Sequence, residues 1–595
     1  MRPELDVKAI VDGSKMSAAQ RQALEVCEAA CEVRREPCFA ASLLVGEPDF
    51  SMLKDRQSPS LEERDQGDAF LAQLQRKLSP PNASPESIKN RCLQAKLGAL
   101  DVPVRHGGLG LSLANQLRAA STIGRHCEQA STLGIALDVM GVSGLIRDFG
   151  TSQQKRAFLP RFAAGEGSAL ALAEQHSANP EDLLTMARPA SDGEHYVLSG
   201  EKLCHASVAG ATVFIVIACT PVAHQPDAIT AFLVEDDRPG VQIHHRSQIK
   251  DEGPALENRV LKLKRVMVPK AHILGGLGGG MEVLKGFLGR GRLARTAMSA
   301  GLTRGHLDRS LHAASLLGSP LWKVNHVAKK TVSAFVMEAL VQHFSTSRPG
   351  HRLSSLECMM ANAWTMDRLR ELSLHDEQVN DAVPLAVAAF RDEADAAPTL
   401  ERLFTEGHWF VECEAEHTLM RRLIMEEMME PHLRVGAGVV NASLPAEHPL
   451  RSAVKAASHF DVWLPVGTPS TSPHGGSSDD TWAHLARLSR KLARRLFFAM
   501  SLHGTTLPHH AILTRCFVDI GAELFALSMA TAHAQNEMAR TDTSPAQREH
   551  VSLLIRCAAS MAFTKVEALF HRISDLCLPV AEHSSRKARA ETAAL

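Results

Sequence analysis

The apolar positions change their period along the chain. Between residues 60 and 165 they recur mostly at spacings of three and four: Leu93, Leu97 and Leu100, then Ile135, Leu137, Met140, Val142 and Leu145. That spacing predicts amphipathic helices. The run is broken by Asp101-Val-Pro-Val-Arg-His-Gly-Gly-Leu-Gly, where a proline and several glycines predict a loop. From about 170 to 275 short β-branched runs take over. Tyr196-Val-Leu before Ser199-Gly200, Val213-Phe-Ile-Val-Ile and Ile229-Thr-Ala-Phe-Leu-Val read as strands. Val241-Gln-Ile-His and Val260-Leu-Lys-Leu-Lys-Arg-Val-Met-Val alternate, the second ending at Pro269. Strands of this length between Gly, Pro and Asp turns predict an antiparallel barrel or sandwich, confined to about 165–280 and without parallel pairing.

Helical period returns after Gly280, in Leu302, Leu307 and Leu311, then in Val327, Val332, Phe335, Val336, Leu340 and Phe344. Residues 467–480, GTPSTSPHGGSSDD, lack the apolar side chains that offset ordering entropy and predict an exposed linker. A last helical block starts at Trp482. The fold class is therefore α+β and multidomain. The expected parts are an N-terminal extension (1–55), an N-terminal helical domain (56–168), a middle β domain (169–278), a C-terminal helical domain (279–445), a linker (446–480) and a C-terminal helical extension (481–595).

Composition changes this picture little. At 595 residues the chain exceeds a single core, and about three to five structural units are expected. Hydrophobic content of 45% and charged content of 22% are ordinary for a globular protein. A formal net charge of -1 gives no reason to invoke nucleic acid. No run of roughly 20 apolar residues predicts a transmembrane helix. The opening MRPELDVKAIVDGSK mixes acids and bases without an apolar stretch, so it reads as no targeting signal, and matrix or cytoplasm is the expected compartment. The 12 cysteines contain no CxxC pair. Cys27, Cys31 and Cys38 cluster without an obvious fourth ligand, which favours buried thiols over a metal site.

The order of helices, small β domain, helices, linker and helices resembles the plan of the acyl-CoA dehydrogenases, and several segments carry the resemblance in detail. Leu97-Gly98-Ala-Leu-Asp-Val-Pro103 followed by His106-Gly107-Gly108-Leu-Gly110 resembles the N-terminal signature of that family. Phe149-Gly150-Thr-Ser-Gln-Gln-Lys155, with Leu159-Pro160 and Gly165-Glu166, resembles the approach to its β domain. Tyr196-Val-Leu-Ser-Gly200-Glu-Lys202 and Thr230-Ala-Phe-Leu-Val234-Glu235 resemble a hairpin and a later strand. Val268-Pro269, Ile273-Leu-Gly275 and Gly291-Arg292 resemble the exit into the C-terminal helices. These matches run in order over roughly 60–440, and the block after 480 resembles the extension of the very-long-chain branch, best at Thr514–Ala526.

The resemblance implies FAD-dependent α,β-dehydrogenation of a fatty acyl-CoA thioester, with long chains favoured. A carboxylate takes the C2 proton of a thioester whose carbonyl is polarised by hydrogen bonds. It also implies a homodimer and electron-transfer flavoprotein as acceptor. The family's catalytic glutamate lies nine residues after an arginine, and Arg421 plus nine is Glu430. Pro431-His432 replaces the family's Gly-Thr, and proline disfavours a helical Glu430. The alternative is that Glu430 is one of several solvated acids beside Glu426 and Glu427.

The flavin positions depart further. The family's Thr-Glu-Pro and Gly-Ser-Asp become Ala173-Glu174-Gln175-His176-Ser177-Ala178-Asn179-Pro180, leaving Glu174, Ser177 and Asn179 as cofactor-binding candidates. Trp-Ile-Thr after Lys202 becomes Cys204-His205-Ala206, so Cys204 and Ser207 are the candidates there. The arginine and glutamine that hold FAD fall at Ala314 and Ala328. The glycine-rich element becomes Glu406-Gly407-His408-Trp409, in which Gly407 alone keeps its place. Flavin is expected to be held weakly or lost, which keeps open a second reading: a degenerate family member serving as a binding or assembly scaffold.

Three features are set aside or left open. Gly275-Gly276-Leu277-Gly278-Gly279-Gly280 lacks the Lys-Ser/Thr of a phosphate loop and reads as a barrel-to-helix junction. His244-His245 and His509-His510 read as surface or strand histidines. The stretch 482–500 carries Arg487, Arg490, Lys491, Arg494 and Arg495 beside Trp482, Leu485, Leu488, Leu492, Leu496 and Phe498. That is the pattern of a helix lying on a membrane surface or, the favoured expectation, packed in a bundle with its basic side outward.

Overall fold

The computed structural model describes residues 38–54, 56, 59–78, 91, 94–126, 142–176, 179–204, 211–221, 228–245, 259–317, 321–346, 353–381, 417–432 and 478–593. Its helices before the sheet are α1 (Phe39–Leu44), α2 (Leu61–Leu78), α3 (Leu113–His126), α4 (Ser143–Phe149) and α5 (Ser152–Ala163). The strands are β1 (Gly167–Ala171), β2 (Met186–Pro189), β3 (His195–Cys204), β4 (Ala211–Cys219), β5 (Ile229–Glu235), β6 (Val241–His245), β7 (Arg259–Pro269) and β8 (Ile273–Leu274). Then come α6 (Gly280–Leu288), α7 (Leu293–Leu317), α8 (Leu321–Ser345), α9 (Ser355–Asp381), a helix over residues 417–432, α10 (Ser478–His503), α11 (Ala511–Ala539) and α12 (Pro545–Ala593). The chain divides into two compact units, 56–420 and 1–55 with 421–595.

In the unit 56–420 the sheet runs β6-β7-β3-β2-β4-β5-β8, with β1 on β4. β4 and β5 are buried over nearly their whole length, so they read as continuous apolar runs. Phe214, Val216, Phe232, Val234, Leu198, Val266 and Val268 form the centre of the sheet's core. The sheet falls within the expected limits, but the expectation of antiparallel pairing throughout is corrected. β1 runs parallel to β4, and β2 touches β4 in parallel at Met186 and Cys219. The 39 residues from 172 to 210, including β2 and β3, separate β1 from β4, and that is ample length for a parallel return.

The helices pack at close range. A Cβ on Gly124 would lie 1.9 Å from the Met298 carbonyl oxygen, and one on Gly301 1.9 Å from that of Ser121. Glycine at both positions lets the backbones of α3 and α7 meet. α5 opens on a capping box: Thr151 accepts from the Gln154 N–H, and the Gln154 side chain accepts from the Thr151 N–H. The Gln154 amide then donates to the carbonyls of Ala271 at 2.8 Å and Ile273 at 2.7 Å, tying the helix to the exit of the sheet.

In the other unit residues 38–54 pack on the C-terminal block: Phe50 lies 4.5 Å from Trp482 between ring centres, and Phe39 6.3 Å from Phe525. The Ser489 hydroxyl donates to the Leu43 carbonyl at 2.5 Å. α10 begins at Ser478, inside the expected linker, and the rest of 467–480 lies outside the described residues. Leu485, Leu488, Leu492 and Leu496 are buried, as the bundle expectation required, whereas Phe498 is 46% exposed on the outer side with Arg487, Arg490 and Arg494.

Candidate functional site

The loop that follows β1 is organised by one buried ion pair. Strand alternation turns Lys202 of β3 into the interior, and the side chain is fully buried. A buried lysine needs an anion. Its ammonium donates to Glu174 Oε1 at 2.8 Å and to the Leu172 carbonyl at 2.9 Å. The Leu184 and Thr185 N–H groups donate to Glu174 at 2.8 and 3.0 Å. Burial pushes the Glu174 carboxyl up, but the Lys202 hydrogen bond and charge, with the Thr185 and Leu184 bonds, bring it below its ordinary value. Glu174 thus pins both ends of the 174–185 loop. Within it the Asn179 amide donates to Asp182 at 3.3 Å, and the exposed His176 ring meets the Asp182 carbonyl at 2.9 Å.

Other cofactor candidates are less fully placed. The backbone of Cys204 closes the β3–β7 ladder opposite Arg259. Ser177, Ser207 and Gly407 lie outside the described residues, as do Ala206, Glu406 and Trp409. Ala314 falls on α7, and Ala328 falls on α8, exposed. Neither methyl group can donate a hydrogen bond.

The sequence resemblance gives Lys202 no role. A lysine at an inward strand position, with an acid 28 residues earlier at the sheet's edge, was the signal available. Replacing it tests the pair. Lys202→Met leaves a buried carboxylate unpaired, a loss of about 3–5 kcal/mol. Because the Glu174 carboxyl is held below its unfolded value, its contribution is present above the ordinary carboxylate range and is lost as pH falls through the lowered value. Thermal melts should therefore show a large gap between wild type and variant at pH 7 that narrows on acidification. A gap independent of pH would contradict this role.

A second cluster lines a solvent-open cleft with Leu113, Leu117 and Leu293. Arg147 of α4 bonds Asp101 at 2.8 Å and Asp148 at 2.8 and 3.0 Å, and Ser143 donates to Asp101 at 2.8 Å. Burial raises the Asp101 carboxyl despite these partners. The sequence marked Asp101 only as the start of a loop.

Glu430 sits half-buried near the end of the 417–432 helix, after the buried Met428 and Met429. The expectation that Pro431 turns Glu430 out of helical conformation is corrected, because the helix continues through His432. Burial of Met428, Met429 and His432 outweighs the local preference. Arg421, used in the sequence as a ruler, has a structural bond of its own: Nε and Nη2 donate to Asp519 Oδ1 at 3.1 and 3.0 Å.

The comparisons with known proteins bear on this arrangement. Residues 66–166 match the family model described as acyl-CoA dehydrogenase, N-terminal domain. The chain is 27% identical over 564 residues to "Probable acyl-CoA dehydrogenase FadE10" of Mycobacterium tuberculosis, covering 90% of this chain and 86% of that protein. It is 33% identical over 231 residues to the very long-chain specific acyl-CoA dehydrogenase of Homo sapiens, covering 37% and 35%. In three dimensions it is similar to an acyl-CoA dehydrogenase from Bacillus anthracis solved with FAD, at a TM-score of 0.67 and 20% identity over 90% of this chain and 92% of that one. No helix among the described residues is long and apolar enough to cross a membrane.

Proposed function

We propose that this chain, which belongs to the acyl-CoA dehydrogenase family, oxidises long fatty acyl-CoA thioesters to their 2-enoyl thioesters, with Glu430 as the base. The observation that carries the reading is Glu430 itself: a half-buried carboxylate, nine residues after a buried arginine, on a helix where it directly follows the buried Met428 and Met429. A carboxylate held on such a helix can serve as a general base toward the C2 proton of a thioester. FAD, when bound, supplies the acceptor for the C3 hydride. Glu430 takes and holds the C2 proton, and the protein's hydrogen-bond donors polarise the thioester carbonyl so that this proton becomes acidic enough to leave.

The long-chain preference rests on the human very-long-chain relative and on the C-terminal block. Electron-transfer flavoprotein as acceptor and a homodimer complete the reading. The apolar face of α10 is used inside its own unit. Membrane contact through 482–500 would therefore fall to Arg487, Arg490 and Arg494 with Phe498. On an anionic surface each basic group would add about 1 kcal/mol, weakened by salt.

The reading is tested with the full chain supplied with excess FAD and an electron acceptor, offered acyl-CoA thioesters of increasing chain length. The expected product is two mass units lighter, formed fastest from chains of about sixteen carbons or more. A preference for short chains would contradict the substrate class.

A further inference from the structure

We infer that the C-terminal helical block is a clamp that orients Glu430, with Asp519 as the positioning residue; this rests on the reading of Glu430 as the base. Within the unit 421–595 two helices of the block grip the helix that carries Glu430. At one end Arg421 donates through two guanidinium nitrogens to one oxygen, Oδ1, of Asp519 on α11, at 3.1 and 3.0 Å, and both side chains are 10% exposed. At the other end His432 is fully buried, its ring 6.5 Å from that of Phe497 on α10. Glu430 lies between these two contacts.

The geometry of a helix makes this grip directional. Nine residues turn through about 900°, so Arg421 and Glu430 stand on opposite faces, ~13 Å apart along the axis. Fixing the azimuth of the guanidinium fixes that of the carboxylate. A guanidinium that donates through two nitrogens to one carboxylate oxygen resists rolling of the helix better than an apolar contact does, because hydrogen bonds weaken as their angle departs from linear and an apolar contact has no such angle. Burial keeps the pair from being screened by salt. Proton abstraction is sensitive to such rolling: a misplacement of about 1 Å costs on the order of a hundredfold in rate. Asp519 is thus 89 residues from Glu430 in sequence and acts on it through Arg421. The block after residue 478 becomes part of the base's mounting.

The test is Asp519→Asn in the full-length, FAD-loaded protein, with two readouts. Amide hydrogen exchange should quicken over 421–432 by about tenfold or more while the buried middle of α11 keeps its protection. With palmitoyl-CoA, kcat should fall by about tenfold or more at a KM within about twofold. Asp519→Glu should recover part of the loss. In a Glu430→Gln background Asp519→Asn should cost nothing further, since there is no base left to misplace. Unchanged exchange over 421–432, or an undiminished kcat in Asp519→Asn when Glu430→Gln alone is inactive, overturns the clamp and leaves the role of Glu430 standing. Full turnover in Glu430→Gln alone overturns the reading of Glu430 and the positioning role with it.

Discussion

Glu430→Gln should lower turnover of palmitoyl-CoA by about three orders of magnitude, with thioester binding close to that of the wild type. The amide keeps the size of the side chain and its place in the helix but has no basic oxygen to receive a proton. General-base catalysis contributes about two to four decades, and C2 of a thioester is a weak enough acid to need all of it. Glu430 is half-buried, and its helix neighbours Met428, Met429 and His432 are buried and unchanged by the exchange. The measurement is kcat on FAD-loaded protein beside a binding titration with a thioester. Loss of binding together with turnover would point to a folding defect, and retained turnover would return Glu430 to the solvated acids Glu426 and Glu427.

The second large effect concerns the cofactor. We expect the protein to leave gel filtration with well under one FAD per chain, and to recover flavin when it is supplied in excess. Each missing hydrogen bond to a charged group is worth roughly 1.5–3 kcal/mol. Three or four together would amount to about 5–10 kcal/mol if additive, or about four to seven decades of affinity. Relative to the family pattern the sequence resembles, alanine at 314 and 328 lacks two side-chain donors on α7 and α8, and Cys204, at the end of β3, and Ala206 lack an indole and a hydroxyl. The converse experiment is more telling. Ala314→Arg and Ala328→Gln should each tighten FAD by about tenfold or more. Stoichiometric FAD in the wild type, or no gain in either variant, would mean that other residues hold the dinucleotide.

What the sequence disclosed follows the range of each physical signal. The limits of the sheet and the helical stretches around it were legible because hydrophobic period is local. The same local signals missed the parallel β1–β4 ladder, which joins strands separated by two others. The place of Phe39 and Phe50 on the C-terminal block was invisible for the same reason, since aromatic contacts across more than 400 residues leave no periodic trace. The pairing of Glu174 with Lys202 and with two backbone N–H groups 10 and 11 residues on was equally out of reach of local signals. Lys202 itself could have been found from strand alternation. Asp519 could not, because the Arg421–Asp519 pair spans 98 residues. The local preference at Pro431 was read correctly as chemistry and wrongly as structure, because tertiary burial decided the conformation.

The central claim, that this chain removes hydrogen from C2 and C3 of a long acyl-CoA, is tested most directly without any electron acceptor. FAD-loaded protein is mixed anaerobically with palmitoyl-CoA, and flavin absorbance is followed against a Glu430→Gln control. The account predicts bleaching of one flavin per thioester consumed, with the 2-enoyl product recovered, and a visible band that persists in the variant. Flavin that stays fully oxidised in the wild type, with thioester bound and unchanged, would contradict dehydrogenation and favour the scaffold reading.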